Sequence, residues 1–203
     1  AVWAWNAMLA LVCGDTLVWK PSNRAILSSI AIHGVVMEAL ESMPELPQNI
    51  SSVIVGGNQM GEAIAKHESI ALLSATGSVP MGMVLAPMVA QRLGKVLLEL
   101  GGNNAMILTP SADLELALRA IVFSAVGTAG QRCTTLRRLI VHKSIKEKIT
   151  FSLIKAYESL SIGNPLDKDV LIGPLIDEKA YIKMQDAINI VKEQGGELLY
   201  GGG

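Results

Sequence analysis

Apolar and polar positions along this chain switch repeatedly between two periods. "RAILSSIAIHGVVMEALES" (24–42) carries apolar residues at helical spacing, and "SIKEKITFSLIKAYESL" (144–160) and "DEKAYIKMQDAINIVKEQGG" (177–196) read as amphipathic helices. Between the helical stretches stand short apolar runs that end in turn residues. "TLVWKPS", "SSVIVGG", "SIALLSATGS", "KVLLELGGNN", "AMILTPSAD" and "LRRLIVHKS" read as strands, and "ELLYGGG" (197–203) as the opening of a last one. Four more helices are predicted: "AMLALVCGD", ending near Gly14; "NQMGEAIAKH"; "VPMGMVLAPMVAQRLG", with proline near its start, where proline is tolerated; and "SADLELALRAIVFSAVGTAG" (111–130), which opens on a good N-cap. Strand and helix in regular alternation predict an α/β fold with parallel sheets. A domain change is expected where a strand runs into "GGNN", dividing the chain into 1–98 and 99–203.

Composition narrows the classes of function. The 203 residues are half hydrophobic and 17% charged, enough for a packed core and unlike a disordered chain. A net charge of -1 and the absence of a basic patch argue against a nucleic-acid partner. No apolar run reaches the roughly 18 residues that a membrane helix needs, so no membrane partner is expected. Cys13 and Cys133 lie far apart without CxxC spacing, and the three histidines are scattered. That pattern predicts reduced thiols, no metal site and a cytoplasmic setting. A chain that opens on "AVWAWN" and stops at "YGGG" reads as an internal fragment.

Several short stretches could carry chemistry. Cys133, in "VGTAGQRCTTLRR", is either a small packed hydrophobe or a nucleophile; Gly127 and Gly130 lower the crowding around it, and Arg132 would favour a thiolate. Glu99 ends the apolar run "VLLE": it is either solvated or, if desolvated, a general base. Asn6 could cap the first helix or hold an oxyanion with its amide. Lys20, before Pro21 and Ser22, is either a surface lysine or a donor to ribose or phosphate. "TGS" (76–78) before a helix is an anion site by geometry. "GGNQMG" (56–61) departs from the dinucleotide fingerprint, so a dinucleotide would have to be held another way. His33, His67 and His142 read as structural or surface residues, and Met81 and Met83 as core. A cysteine hydrolase is a weaker alternative, because no Cys–His pair is evident.

Taken in order, "WN", "WKPS", "TGS", "LELGGNNA" and "GQRC", with the later "IGNPLD" and "IGPLID", resemble the NAD(P)-dependent aldehyde dehydrogenase superfamily over nearly the whole chain. "LELGGNNA" and "VGTAGQRCTTLRR" are most similar to its α-aminoadipic semialdehyde dehydrogenase (antiquitin) branch. The resemblance implies a partial aldehyde dehydrogenase fold, with a Rossmann-like cofactor-binding part followed by the start of an α/β catalytic domain. It implies Cys133 as nucleophile, Glu99 as general base, and the Asn6 amide with the Cys133 N–H as oxyanion donors. It assigns the cofactor, NAD with NADP as the alternative, to Lys20, Ser22, Gly61, Gly77, Ser78, Met81 and Leu100, and a substrate carboxylate to Arg132. The implied reaction is oxidation of an aldehyde, such as an amino-acid-derived semialdehyde of lysine catabolism, by a homodimer or homotetramer. The alternative is a catalytically incompetent fragment, or a binding or structural protein, that keeps the fold. Two positions depart from the family pattern. Ala75 stands where members usually have phenylalanine, and Asn23 where many have a ribose-binding glutamate.

Overall fold

The computed structural model describes residues 2–202. The chain divides into two compact units, Ala1–Leu100 and Gly101–Gly203.

The first unit alternates α1 (Val2–Val12), β1 (Leu17–Trp19), α2 (Ile26–Glu41), β2 (Ser51–Val53), α3 (Asn58–Lys66), β3 (Leu72–Thr76), α4 (Val79–Gln91) and β4 (Lys95–Glu99). Its strands form two parallel pairs. Leu17 to Trp19 lie beside Ser51 to Val53, and Leu72 to Thr76 beside Lys95 to Glu99. The parallel pairing predicted from the alternation is therefore present, and the connecting helices supply the crossovers such pairs require. Ala65 of α3 and Leu85 and Val89 of α4 form a core cluster, with Leu73, Ala75, Met81 and Met88 packed on it. Met81 joins the core as expected. Met83 does not: it is largely exposed, because its position on α4 turns it away from the cluster.

The second unit contains β5 (Asn104–Leu108), α5 (Leu114–Val126), β6 (Leu136–Val141), α6 (Lys146–Glu158) and α7 (Glu178–Glu193). β5 and β6 are parallel, with a shift of register between Asn104 and Ala105. Leu108, Ile121 and Ile149 form the core between this pair and α5 and α6. The stretches "IGNPLD" and "IGPLID" meet through a single parallel bridge between Ile162 and Ile172.

Three elements and one residue differ from the sequence expectation. α1 starts at Val2 rather than Ala7; Trp3, drawn into its first turn, stacks on Trp19 of β1 with ring centroids 4.4 Å apart. α5 stops at Val126 instead of running through Gly130, because Gly127 leaves helical geometry and Thr128, Ala129 and Gly130 then take positive φ (56°, 51° and 71°). No strand forms over 197–202, where Gly201 and Gly202 also take positive φ; Gly203 lies outside the described residues. Finally, Asn6 lies in the middle of α1, which removes its reading as a helix cap.

Candidate functional site

In the first unit Lys20, Gly77, Ser78, Glu99 and Leu100 stand at or just beyond the carboxyl ends of parallel strands, where open α/β sheets place their ligands, whereas Asn6 lies inside α1 and Gly61 and Met81 inside α3 and α4. Lys20 directly follows β1. Its ammonium donates to the carbonyls of Pro21 (2.8 Å) and Gly56 (3.0 Å). An ammonium has three donors, and the third finds no acceptor among the described residues. The aliphatic stem runs over Gly61, where an added Cβ would lie 3.7 Å from Cε of Lys20. Beside this contact a groove of about 630 Å³ opens at the start of α3, lined by Asn23, Gly56, Gly57, Asn58, Met60 and neighbouring residues. Ser22 is exposed and turns inward on its own loop, accepting from the Arg24 N–H at 3.3 Å.

The second cluster of this unit sits on the β3–β4 edge. Ser78 caps α4 by accepting from the Met81 N–H at 3.3 Å. The Met81 thioether lies over Gly77, where a Cβ would come within 2.7 Å of its sulfur. The Gly77 N–H donates to the Glu99 carbonyl at 3.0 Å. The Glu99 side chain is exposed at the end of β4. Leu100 folds back on the buried Gly82 of α4, a position with no room for a side chain: an added Cβ would lie 2.6 Å from Cδ1 of Leu100.

In the second unit Cys133 occupies the second position of a four-residue turn, Arg132 to Thr135. The ends of the turn are joined twice. The Thr135 N–H donates to the Arg132 carbonyl (3.1 Å), and the Arg132 N–H donates to Thr135 Oγ1 (3.1 Å). Thr135 is buried while Cys133 is exposed as a free thiol, so in this chain Cys133 is not a packed hydrophobe. Its N–H donates to no acceptor among the described residues. The turn is approached through the positive-φ stretch Thr128 to Gly130; left-handed geometry costs a non-glycine residue roughly 1–2 kcal/mol, the kind of strain that collects at functional sites. Gln131 braces this approach, donating to the Thr128 carbonyl (3.1 Å) and accepting from the Ile176 N–H (2.9 Å).

Arg132 does not extend freely into solvent. Its guanidinium lies 5.3 Å above the Phe123 ring, donates to the Phe123 carbonyl (3.1 Å) and covers Gly127 so closely that a Cβ there would collide with it. The low crowding expected from Gly127 is thus used by Arg132.

Three contacts escaped the sequence reading. The Asn104 side-chain amide donates to the carbonyls of Cys133 (2.7 Å) and Thr135 (3.0 Å). The Arg138 fork holds the Asn103 carbonyl through Nε (3.0 Å) and Nη2 (2.8 Å). Phe123 is the platform for Arg132. Asn103 and Asn104 stood within "LELGGNNA", but no local signal told that the Asn103 carbonyl would accept from Arg138 or that the Asn104 amide would donate to carbonyls 29 and 31 residues away. The histidines are as expected: His33 bonds the Ser51 carbonyl, and His142 accepts from the Ser144 N–H in a local turn. No described helix is long and apolar enough to cross a membrane.

Comparison with known proteins places this architecture. The sequence pattern described as "Aldehyde dehydrogenase family" matches residues 1–203. The chain is 46% identical over 202 residues to aldehyde dehydrogenase family 7 member A1 of Brassica napus, spanning all of this chain and 41% of that protein. It is 45% identical to the α-aminoadipic semialdehyde dehydrogenase of Bos taurus, again over the whole chain and 37% of the relative. Among solved structures, lactaldehyde dehydrogenase from Escherichia coli superposes with a TM-score of 0.94 at 33% identity, covering 100% of this chain and 42% of that one. Betaine aldehyde dehydrogenase from Staphylococcus aureus, solved in complex with NAD+, superposes with a TM-score of 0.90 at 29% identity, over 98% and 39%. The chain spans about two fifths of the length of the curated relatives it matches. With its parallel strand pairs, its "LELGG" strand end and its exposed "GQRC" turn, the chain belongs to the aldehyde dehydrogenase family.

Proposed function

We propose that this chain carries the nucleophile and part of the cofactor site of an NAD(P)-dependent aldehyde dehydrogenase acting on an amino-acid-derived semialdehyde. The observation that carries the reading is the Cys133 turn: an exposed thiol beside a backbone N–H with no partner among the described residues. The Cys133 thiolate adds to the aldehyde carbon, forming a C–S bond while the carbonyl oxygen becomes an oxyanion. The Cys133 N–H and the Asn6 amide stabilise that oxygen, a contribution of about 3 kcal/mol for a donor of this kind. Loss of hydride from the adduct leaves a thioester, and water attacks it to release the carboxylic acid and the thiol. Glu99 takes the proton from the thiol or from that water. Arg132 holds the carboxylate of the substrate, and release of its guanidinium from the Phe123 carbonyl precedes that contact.

The residues of the first unit fit a nicotinamide dinucleotide. Lys20 has a spare donor beside a groove of about 630 Å³, a volume in the range of cofactor sites, and Gly77 and Ser78 open a 13-residue helix whose N-terminus suits pyrophosphate. Ser22, Gly61, Met81 and Leu100 complete the proposed contacts. When bound, the dinucleotide supplies the hydride acceptor. In this reading residues 1–98 belong to the cofactor-binding domain and 99–203 to the catalytic domain of a cytoplasmic homodimer or homotetramer. The relatives named for α-aminoadipic semialdehyde support that aldehyde as the substrate.

The test is NADH formation by the complete gene product, with α-aminoadipic semialdehyde and, in parallel, a simple aliphatic aldehyde. Preference for the semialdehyde, lost in Cys133→Ser and kept in Cys13→Ser, is expected. Activity that survives Cys133→Ser would overturn the reading.

A further inference from the structure

The turn that presents Cys133 stands just outside the β5–β6 ladder. The ladder opens with Asn104 opposite Leu136, then shifts register, so that Ala105 stands opposite Arg138. Bulges of this kind re-aim a side chain at the end of a strand pair. Here the residue at the shift is Asn104, and its carboxamide continues the bonding where the backbone ladder ends. Both partners, the carbonyls of Cys133 (2.7 Å) and Thr135 (3.0 Å), are acceptors, so only the NH2 end of the amide can serve them, and both of its hydrogens are used. Gly102 leaves room for this arrangement: a Cβ there would lie 3.0 Å from Asn104 Oδ1 and 3.4 Å from the Cys133 carbonyl oxygen.

We propose that Asn104 is a positioning residue for Cys133. It acts through the backbone and not through the sulfur. By holding the Cys133 and Thr135 carbonyls on one side, Asn104 fixes the peptide planes of a turn whose ends Arg132 and Thr135 already join. The Cys133 N–H, left without an acceptor among the described residues, is thereby held ready for an oxygen of the substrate. The inference rests on Cys133 being the nucleophile, and it predicts a specific division. Reactions at Cys133 that develop an oxyanion depend on Asn104. Reactions that need only the sulfur do not.

Two reagents separate these cases in a Cys13→Ser background of the complete gene product, with attachment to Cys133 confirmed by peptide mass. Iodoacetamide alkylates the thiolate by displacing iodide at a saturated carbon, with no oxyanion. p-Nitrophenyl acetate acylates it: the sulfur adds to the ester carbon, a tetrahedral oxyanion forms, and p-nitrophenolate leaves with the bonding pair. Asn104→Asp, which puts a carboxylate against two carbonyls, is expected to slow acylation by about ten-fold or more, less than outright removal of an oxyanion donor. Alkylation should stay within about three-fold. Asn104→Ala gives the same split and decides the matter if the aspartate variant does not fold. Equal loss of both rates would make Asn104 merely structural and overturn the proposal, as would no loss of either. A parent protein that alkylates at Cys133 but is never acylated there would remove the nucleophile reading, and this proposal with it.

Discussion

The Gly77 N–H donates to the carbonyl of Glu99 at 3.0 Å, tying the turn before α4 to the last residue of β4. The bond extends the β3–β4 pairing, in which Thr76 stands opposite Glu99. It couples the proposed pyrophosphate turn to the proposed base. Leu100, the next residue, rests on Gly82 one turn into the same helix.

That packing makes Gly82 the sensitive position. Gly82→Val would overfill a buried contact and is expected to cost about 1–3 kcal/mol, read as a lower urea midpoint. Gly34 of α2, where nothing lies within 4 Å of an added Cβ, is the control. Gly34→Val should change the midpoint little.

Lys20 combines a packed stem with a charged head, and Lys20→Met separates them. Methionine keeps apolar contact over Gly61 but removes the donor. NAD affinity is expected to fall by about ten-fold or more, as for loss of a charge-assisted hydrogen bond. Folding stability should fall as well, by about 1–3 kcal/mol, because the ammonium leaves two part-buried carbonyls, one of them on the buried Pro21. Titration calorimetry and a thermal melt read the two effects.

Arg132 and Gly127 are expected to behave as one unit. Gly127→Ala evicts the guanidinium from its place against α5, at a cost of about 1–2 kcal/mol. Arg132→Ala removes the group that collides, so the double variant should be less destabilised than the sum of the single ones. Denaturant unfolding of the four proteins measures that coupling.

Burial raises the pKa of Tyr157 above the ordinary phenol value of 10.0. In the unfolded chain the phenol ionises first, so stability is unaffected by this group below about pH 10 and falls as pH rises through the folded value. Tyr157→Phe should flatten that alkaline decline while leaving the pH 7–9 stability profile parallel to the parent. Urea midpoints taken from pH 7 to 11 give the comparison.

Much of this protein was legible in its residues. Alternating helix and strand periods placed the six strands and seven α-helices of the described residues, and "TGS" fell between a strand and a helix as expected. These are local properties: period, capping and turn chemistry act over a few residues. The boundaries that failed were set by what a hydrophobic period does not report, in one case a stacking partner distant in sequence and in the other a left-handed backbone. Trp3 belongs to α1 because Trp19 stacks on it, and the end of α5 follows from the left-handed geometry of Thr128 to Gly130. The ELLYGG stretch has strand composition but finds no neighbouring strand among the described residues, and a strand alone leaves its backbone groups unpaired.

The same division holds at the site. The sequence by itself determined that Cys133 would sit among small and polar residues, that Lys20 would follow a strand, and that Glu99 would end one. Only the tertiary structure decided that Asn104 grips the Cys133 turn, that Arg132 lies against Phe123, and that Leu100 rests on Gly82. The reason is physical. Residue type sets what a side chain can donate, accept or bury, but the partner it meets is chosen by strand register and helix packing, which bring together groups that no local pattern connects.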